Sequence, residues 1–280
     1  MNVLEVEQLR IWQAADGQGQ DADGRALVSG SSFAVKQGQC VAIVGESGSG
    51  KSLTCKAIMR LNGGSLRQSG RILLGGVDLA ELPLQEMRGY RGKRLCMIMQ
   101  SGMSAFDPSQ SVGAFLQSVL QVHYDWPRSQ MQESLAVAML SVGLREPLAV
   151  LRRYPHELSG GMLQRLMIAL AIVLEPDVII ADEPTTALDA VTAYEVVEQF
   201  VQLRERAGGA MIFVSHDLGV VRRLADEILV MKDGEIVERG DTQHIFTAAR
   251  HPYTRYLVSS KEELSRHYTQ LMGGRTDAQG

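Results

Sequence analysis

One stretch constrains this chain more than any other: Cys40-Val41-Ala42-Ile43-Val44, followed by Gly45-Glu46-Ser47-Gly48-Ser49-Gly50-Lys51-Ser52. The apolar, β-branched run reads as a buried strand, and the segment from Leu53 to Arg60 reads as a helix. Between them lies G-x-x-x-x-G-K-S, in the strand–loop–helix setting that gives the pattern its chemical meaning. Gly45, Gly48 and Gly50 carry no Cβ, so the backbone can curl into a nest of N–H groups and come close to phosphate oxygens. The first N–H groups of the helix have no partner within it and point to the same place. Lys51 brings a mobile positive charge for β- and γ-phosphates, and the Ser52 hydroxyl suits Mg²⁺.

The rest of the chain fits a globular host for this loop. Its 280 residues are 45% apolar and 21% charged, with a net charge of −4. That balance does not favour a nucleic-acid or anionic-membrane surface, so no nucleic-acid partner is expected. The longest apolar run, Leu166 to Leu174, is too short to span a bilayer, and the acidic first residues hold no signal-peptide core. Cys40, Cys55 and Cys96 lack metal-ligand spacing and read as buried thiols in a reducing compartment. Any membrane role is therefore expected to come through a partner.

Read in order, Val3 to Trp12 and Leu27 to Val35 are expected strands, with a loop from Ala14 to Gly24 between them. Gly63-Gly64 is expected to break the helix after the phosphate loop. Arg71 to Leu74 is strand-like and ends at Gly75-Gly76. Arg94 to Met99 is a further strand, with Gln100 directly after it. About Ser101 to Glu157 reads as a mostly helical insert. Val112, Phe115, Leu116, Val119 and Leu120 form one apolar stripe, and Met131, Leu135, Ala138, Met139 and Val142 another. Ser129 with Gln132 three residues later has the spacing of a capping box. Then follow an apolar helix (Met162 to Leu174), a buried strand (Asp177 to Asp182), a helix (Tyr194 to Arg206) and a strand (Ala210 to Val214). A short helix (Leu218 to Leu224) and a hairpin turning at Asp233-Gly234 come next, and Gly273 to Gly280 reads as a frayed end.

Two more segments carry chemistry. Asp182 closes a run of apolar residues at a strand end, where a carboxylate can hold Mg²⁺ directly or through water. Glu183, one residue on, is placed to polarise a water for attack on a γ-phosphate. In Leu158-Ser159-Gly160-Gly161-Met162-Leu163-Gln164-Arg165, a serine and two glycines precede a long helix. That helix start is either a second anion site or an ordinary N-cap at Ser159. A chain with two phosphate sites suggests that the second serves the nucleotide of another subunit.

Leu158-Ser159-Gly160-Gly161 resembles the signature of ATP-binding cassette (ABC) ATPases, and the other parts stand in that family's order. Gln100 is similar to the Q-loop residue, Ala187-Leu188-Asp189 to the D-loop, and His216 in Val214-Ser215-His216-Asp217 to the switch histidine. The resemblance covers about Leu4 to Leu257. It implies an α/β fold: a P-loop NTPase core with an antiparallel β subdomain and a helical subdomain insert. The core would comprise residues 1–100 and 158–250, the insert 101–157, and a C-terminal tail 251–280. It also implies ATP and Mg²⁺ as ligands and a head-to-tail dimer. ATP would lie between the Gly45-to-Ser52 loop of one subunit and Ser159, Gly160, Gly161 and Gln164 of the other. Glu183 would be the catalytic base, His216 would contact the γ-phosphate, and Ser52, Gln100 and Asp182 would hold the metal. Gln100 would also link the nucleotide to the insert, which would dock on membrane subunits.

A finer resemblance rests on Gly45-Glu46-Ser47-Gly48-Ser49-Gly50-Lys51-Ser52, on Phe106-Asp107-Pro108 and on His251-Pro252-Tyr253-Thr254. These are similar to the oligopeptide, dipeptide and nickel import group; within it, Lys51-Ser52-Leu53-Thr54-Cys55 and Ser159-Gly160-Gly161-Met162-Leu163-Gln164-Arg165-Leu166-Met167-Ile168-Ala169 are most similar to its nickel-import ATP-binding subunits. The implied partners are a second, different ATPase subunit, two transmembrane permeases and a substrate-binding protein. The implied place is the cytoplasmic face of the inner membrane, as a peripheral subunit. Nickel, a nickel chelate and short peptides all stand as cargo. DNA-repair members would need a long coiled-coil insertion and ribosomal members two cassettes in one chain, and neither pattern is present. The chain departs from the family where an aromatic residue usually stacks on adenine. Asp21-Ala22-Asp23-Gly24-Arg25-Ala26 stands there, with Arg25 as a possible substitute and Trp12 the nearest upstream aromatic residue. No cysteine lies beyond Cys96, so the iron–sulfur cluster of some peptide importers is not expected.

Overall fold

Three central strands explain the architecture. In the computed structural model, β3 (Cys40–Val44), β7 (Val178–Asp182) and β8 (Ala210–Val214) are buried at every residue. A parallel strand covered on both faces must be apolar throughout, which is why these runs lack polar alternation. Residues 1–14, 26–186 and 188–260 are described here, without the side chains of residues 206 and 207. The expected loop beyond Ala14, Arg25, Ala187 and the end from Gly273 therefore lie outside the described residues.

Adding β6 (Leu95–Ile98), β9 (Glu227–Lys232) and β10 (Glu235–Asp241) gives a six-stranded sheet in the order β10-β9-β3-β8-β7-β6. Its inner pairings are parallel, and β10 runs antiparallel to β9 through the Asp233-Gly234 turn. Because β3, β6, β7 and β8 share one direction, the segments leaving them emerge along one edge, the usual place for a ligand in such sheets.

Successive side chains of the central strands enter different cores. Val178 and Ile180 join Val41, Ile43 and Ile212 on one face, while Ile179 and Ala181 join Met211 and Phe213 on the other. The first core is closed by α1 (Lys51–Ile58) and by an antiparallel sheet of β1 (Asn2–Gln13), β2 (Ala26–Lys36), β4 (Leu66–Leu74) and β5 (Val77–Asp78). In β1, Leu4 and Val6 face inward, and so do Leu9 and Ile11. A strict two-residue period cannot do both, so the strand slips at Gln8, where φ is 50° and the register shifts. Gly70 makes room opposite, since a Cβ there would meet the Gln8 carbonyl oxygen at 2.5 Å.

The second core is helical. It draws on α3 (Gly102–Ala105), α4 (Val112–Gln121), α5 (Arg128–Ser141), α6 (Pro147–Leu151), α7 (Gly160–Leu174), α8 (Ala190–Ala207) and α9 (Leu218–Leu224). Val112, Leu116 and Leu120 are buried, as are Met131, Leu135, Ala138, Met139 and Val142. Phe200 of α8 meets Phe213 of β8 edge-on with ring centroids 5.4 Å apart, a favoured aromatic geometry.

Some local expectations change. α1 stops at Ile58, and Arg60 turns left-handed (φ 51°), so the helix ends before Gly63-Gly64 is reached. The expected capping box at Ser129 is not made. Pro127 is the N-cap, with its carbonyl accepting from Met131, which places Ser129 inside the first turn. The segment before β6 forms a helix, α2 (Leu84–Lys93), which buries only Met87 and loses helical geometry at Arg91-Gly92. After β10, α10 (Thr242–Thr247) is capped by Asp241, whose side chain accepts from the His244 N–H. Neither segment has an apolar stripe that announces it.

Candidate active site

β3 delivers the chain to Gly45 at the carboxyl edge of the sheet. There the backbone lies so close to the Met231 carbonyl of β9 that a Cβ would collide with it. Gly50, the N-cap of α1, has φ 102° and no side chain with which to cap the helix. The N–H groups of the first turn are thus left for an external acceptor. Glu46, Ser47 and Gly48 are exposed at the rim, while Ser49, Gly50 and Lys51 are buried. The Lys51 ammonium curls back and donates to the Gly45 and Glu46 carbonyls, at 2.9 and 2.8 Å. Burial lowers the Lys51 pKa, against the opposing effect of Glu183 and Asp182. From outside, the hairpin holds the loop. The Gly234 N–H donates to the Ser49 carbonyl at 3.2 Å, and the Gly234 carbonyl accepts from Ser29 of β2 at 2.9 Å.

β7 brings Asp182 and Glu183 to the same edge. Asp182 is 6% exposed and accepts from the Ser52 hydroxyl at 2.8 Å. Burial pushes its pKa up, opposed by the Ser52 hydrogen bond. Glu183 takes a left-handed backbone (φ 47°), a conformation that costs a non-glycine residue about 1–2 kcal/mol. Its N–H is held by the Val214 carbonyl at 3.0 Å. Its carboxylate oxygen Oε2 gathers three side chains. Thr186 Oγ1 donates at 3.0 Å, Gln100 Nε2 donates at 3.3 Å, and His216 Nδ1 stands 3.7 Å away. Gln100 follows β6 and His216 follows β8, so three strand ends converge on one carboxylate. Thr186 was not among the sequence candidates. Its signal is the three-residue spacing from Glu183, which one turn of backbone brings together.

Gly45, Glu46, Ser47, Lys51, Glu183 and His216 line a cavity of about 310 Å³. Beside it, the Ser52 hydroxyl, the Asp182 carboxylate and the Gln100 amide offer hard oxygen donors. The buried carboxylate has a neutral hydroxyl as its hydrogen-bond partner, so this donor set fits Mg²⁺.

Ser159, Gly160 and Gly161 lie elsewhere, at the start of α7, and none of them lines that cavity. Ser159 is exposed and caps the helix, accepting from Met162 N at 3.3 Å. Gly161 packs so tightly on Thr192 of α8 that a Cβ would overlap that side chain. Asp189 caps α8 and accepts from the Val191 and Thr192 N–H groups, at 3.1 and 3.0 Å. Gln164, expected to meet the other subunit's nucleotide together with these residues, is covered within this chain. It lies on the inner face, 1% exposed, and donates to the Met99 carbonyl at 3.4 Å. Gln164 stands one turn beyond Gly160 on the same side of the helix, and at that level the Met99 backbone covers it.

A protein-family model described as "ABC transporter" matches residues 28–186, more than half of the chain. The chain belongs to the ABC transporter family. A second model, "Oligopeptide/dipeptide transporter, C-terminal region", matches residues 237–278 of this ABC chain. The metal-staphylopine import system ATP-binding protein CntD of Staphylococcus aureus (strain NCTC 8325 / PS 47) is 43% identical over 274 residues, covering 98% of both chains. The glutathione import ATP-binding protein GsiA of Escherichia coli (strain K12) is 40% identical over 270 residues. There the match covers 94% of this chain and 42% of that protein. The structure matches the dimeric ATP-binding cassette MJ0796 bound to ADP and Pi with TM-score 0.74 and 24% identity, over 85% of this chain and 98% of that one. It also matches CbiO1 of Clostridium perfringens with TM-score 0.70 and 25% identity, over 88% and 91% of the two chains. The fold is thus an ABC ATPase cassette, an α/β P-loop architecture with an added antiparallel sheet and helical parts. No helix among the described residues is long and apolar enough to cross a membrane.

Proposed function

We propose that this chain is the ATP-hydrolysing subunit of an importer, working on the cytoplasmic face of the inner membrane, and that its cargo is nickel in chelated form. The observation that carries the hydrolytic part is the meeting of Gln100, Thr186 and His216 on Glu183 beside the phosphate-loop cavity. Glu183 takes the proton of the attacking water while the bond to the leaving ADP breaks. Gln100 and Thr186 hold its carboxylate in line, and His216 approaches the γ-phosphate. Lys51 turns from the Gly45 and Glu46 carbonyls to the β- and γ-phosphates. Ser52, Asp182 and Gln100 would hold Mg²⁺, which when bound would supply neutralising charge for the phosphate oxygens.

Ser159, Gly160 and Gly161 serve the nucleotide of a second cassette. Their separation from this chain's own cavity supports that reading, as does the exposed capped helix they open. The second cassette is a different chain, and the pair works with two permeases and a substrate-binding protein. Metal-chelate cargo is supported by 43% identity, across 98% of both chains, to a metal-staphylopine import protein. A dipeptide or oligopeptide cargo is the second reading, favoured by the match of residues 237–278 to the peptide-transporter C-terminal region.

The test is ATP hydrolysis by the transporter reconstituted in vesicles with its permeases, second ATPase and binding protein. Stimulation by binding protein loaded with a nickel chelate, and not with dipeptide, supports the first cargo; the reverse supports the second. Full turnover by the isolated monomer would overturn the two-cassette mechanism.

A further inference from the structure

The peptide unit between Gly45 and Glu46 is held from both sides. Its carbonyl oxygen, on Gly45, accepts from the Lys51 ammonium at 2.9 Å. Its N–H, on Glu46, donates to the Tyr253 hydroxyl at 2.9 Å, across 207 residues of sequence. In a trans peptide these two groups point in opposite directions, so one contact fixes the direction of the other. Gly45 has no Cβ to restrict rotation of this plane. We infer that Tyr253 is a positioning residue for the phosphate loop, setting the Gly45–Glu46 plane and with it the resting place of Lys51. This rests on the reading of the loop as the triphosphate site.

Tyr253 is itself firmly placed. It lies in the first turn of the helical segment 252–260 and is 8% exposed. Its N–H donates to His251 Nδ1 at 3.2 Å, and the Arg250 and His251 N–H groups donate to Glu238 of β10 at 2.7 and 3.1 Å. The Lys232 ammonium stands 5.3 Å from the centre of its ring. Burial pushes the tyrosine pKa up, so the phenol keeps its proton. Leu257, one turn further along, lines the same cavity as Lys51. The segment after β10 thus reaches the nucleotide side of the loop through a polar contact as well as an apolar one.

The test measures binding of fluorescent ATP and ADP analogues to the full-length chain. Tyr253→Phe keeps the ring and removes the acceptor. The expected result is a rise in Kd of roughly 3–10-fold for both nucleotides, the range for one hydrogen bond. The melting midpoint without nucleotide stays within a few degrees of wild type. Glu46→Pro removes the donor from the other side, and in that background Tyr253→Phe should change affinity no further. Wild-type affinity in Tyr253→Phe would overturn the inference, as would fully additive effects in the double variant. A lower melting midpoint with unchanged affinity would assign Tyr253 to the fold alone and also overturn it. Lys51→Ala separates the two readings. If wild type binds and Lys51→Ala does not, an unaffected Tyr253→Phe sinks only the inference; if wild type itself binds neither nucleotide, the triphosphate site falls as well.

Discussion

The Ser52 hydroxyl donates a 2.8 Å hydrogen bond to the Asp182 carboxylate, 130 residues further along the chain. This bond joins the start of α1 to the end of β7 and brings together two oxygen donors at the end of the phosphate loop. Because burial raises the Asp182 pKa, the ionised carboxylate is disfavoured in the fold. At pH values below the ordinary aspartate pKa, both folded and unfolded chains hold the proton and Asp182 contributes nothing. As pH rises to the folded value, the unfolded chain ionises first, and the fold bears the full penalty above it. Asp182→Asn is therefore expected to melt at or above the wild-type temperature at neutral pH without nucleotide, a difference that vanishes in acid. The same variant should lose the Mg²⁺-dependent part of ATP affinity. Calorimetric melting across pH and nucleotide titration with and without chelator check the two halves.

Glu183→Gln keeps the shape of the side chain and removes its capacity to take a proton. Phosphate release should fall by at least about 100-fold, the scale of general-base contributions. ATP should still bind and hold the paired cassettes together. Single-turnover assays and size-exclusion chromatography with ATP read both effects, and wild-type turnover would remove Glu183 from the mechanism.

Thr186→Val deletes one of the donors on Glu183 Oε2 while preserving side-chain volume. With Gln100 still present, turnover should fall by roughly 3–10-fold with little change in ATP affinity. Equal losses in kcat and binding would mean that Thr186 supports the loop rather than the carboxylate.

Phe200 is fully buried and packs edge-on against Phe213. Phe200→Ala should cost about 3–5 kcal/mol of stability through lost burial and the cavity left behind. Urea unfolding, compared at equal denaturant sensitivity, measures it.

The three cysteines are buried, and burial pushes the Cys40 and Cys96 thiols up to about 12 and Cys55 well above its usual value. The thiolate is the reactive form, so the native chain should resist iodoacetamide at neutral pH and become labelled at all three positions only on unfolding. Mass spectrometry of native and urea-treated samples decides.

Where a segment must bury both faces or one helical stripe, its sequence states its structure. β3, β7 and β8 are continuous apolar runs, and α5 repeats its apolar residues at helical spacing. Gly45 and Gly50 of the phosphate loop were equally legible, because a side chain at either would press on neighbouring residues and both take positive φ. What escaped depends on tertiary partners. α2 buries one side chain, the slip at Gln8 is set by neighbouring strands, and the Tyr253–Glu46 contact joins distant ends of the chain. The burial of Gln164 likewise depends on a remote segment, since its partner Met99 lies 65 residues away in sequence.

Gly234 forms the tip of the β9–β10 hairpin, and both halves of its backbone are engaged, one with Ser49 and the other with Ser29. Hairpin tips are ordinarily where a chain accepts an inserted tag or a protease cut without harm. Here an insertion would pull on the loop proposed to grip the phosphates, so the most tempting place to splice in a label is one where even a short one is expected to disarm the molecule.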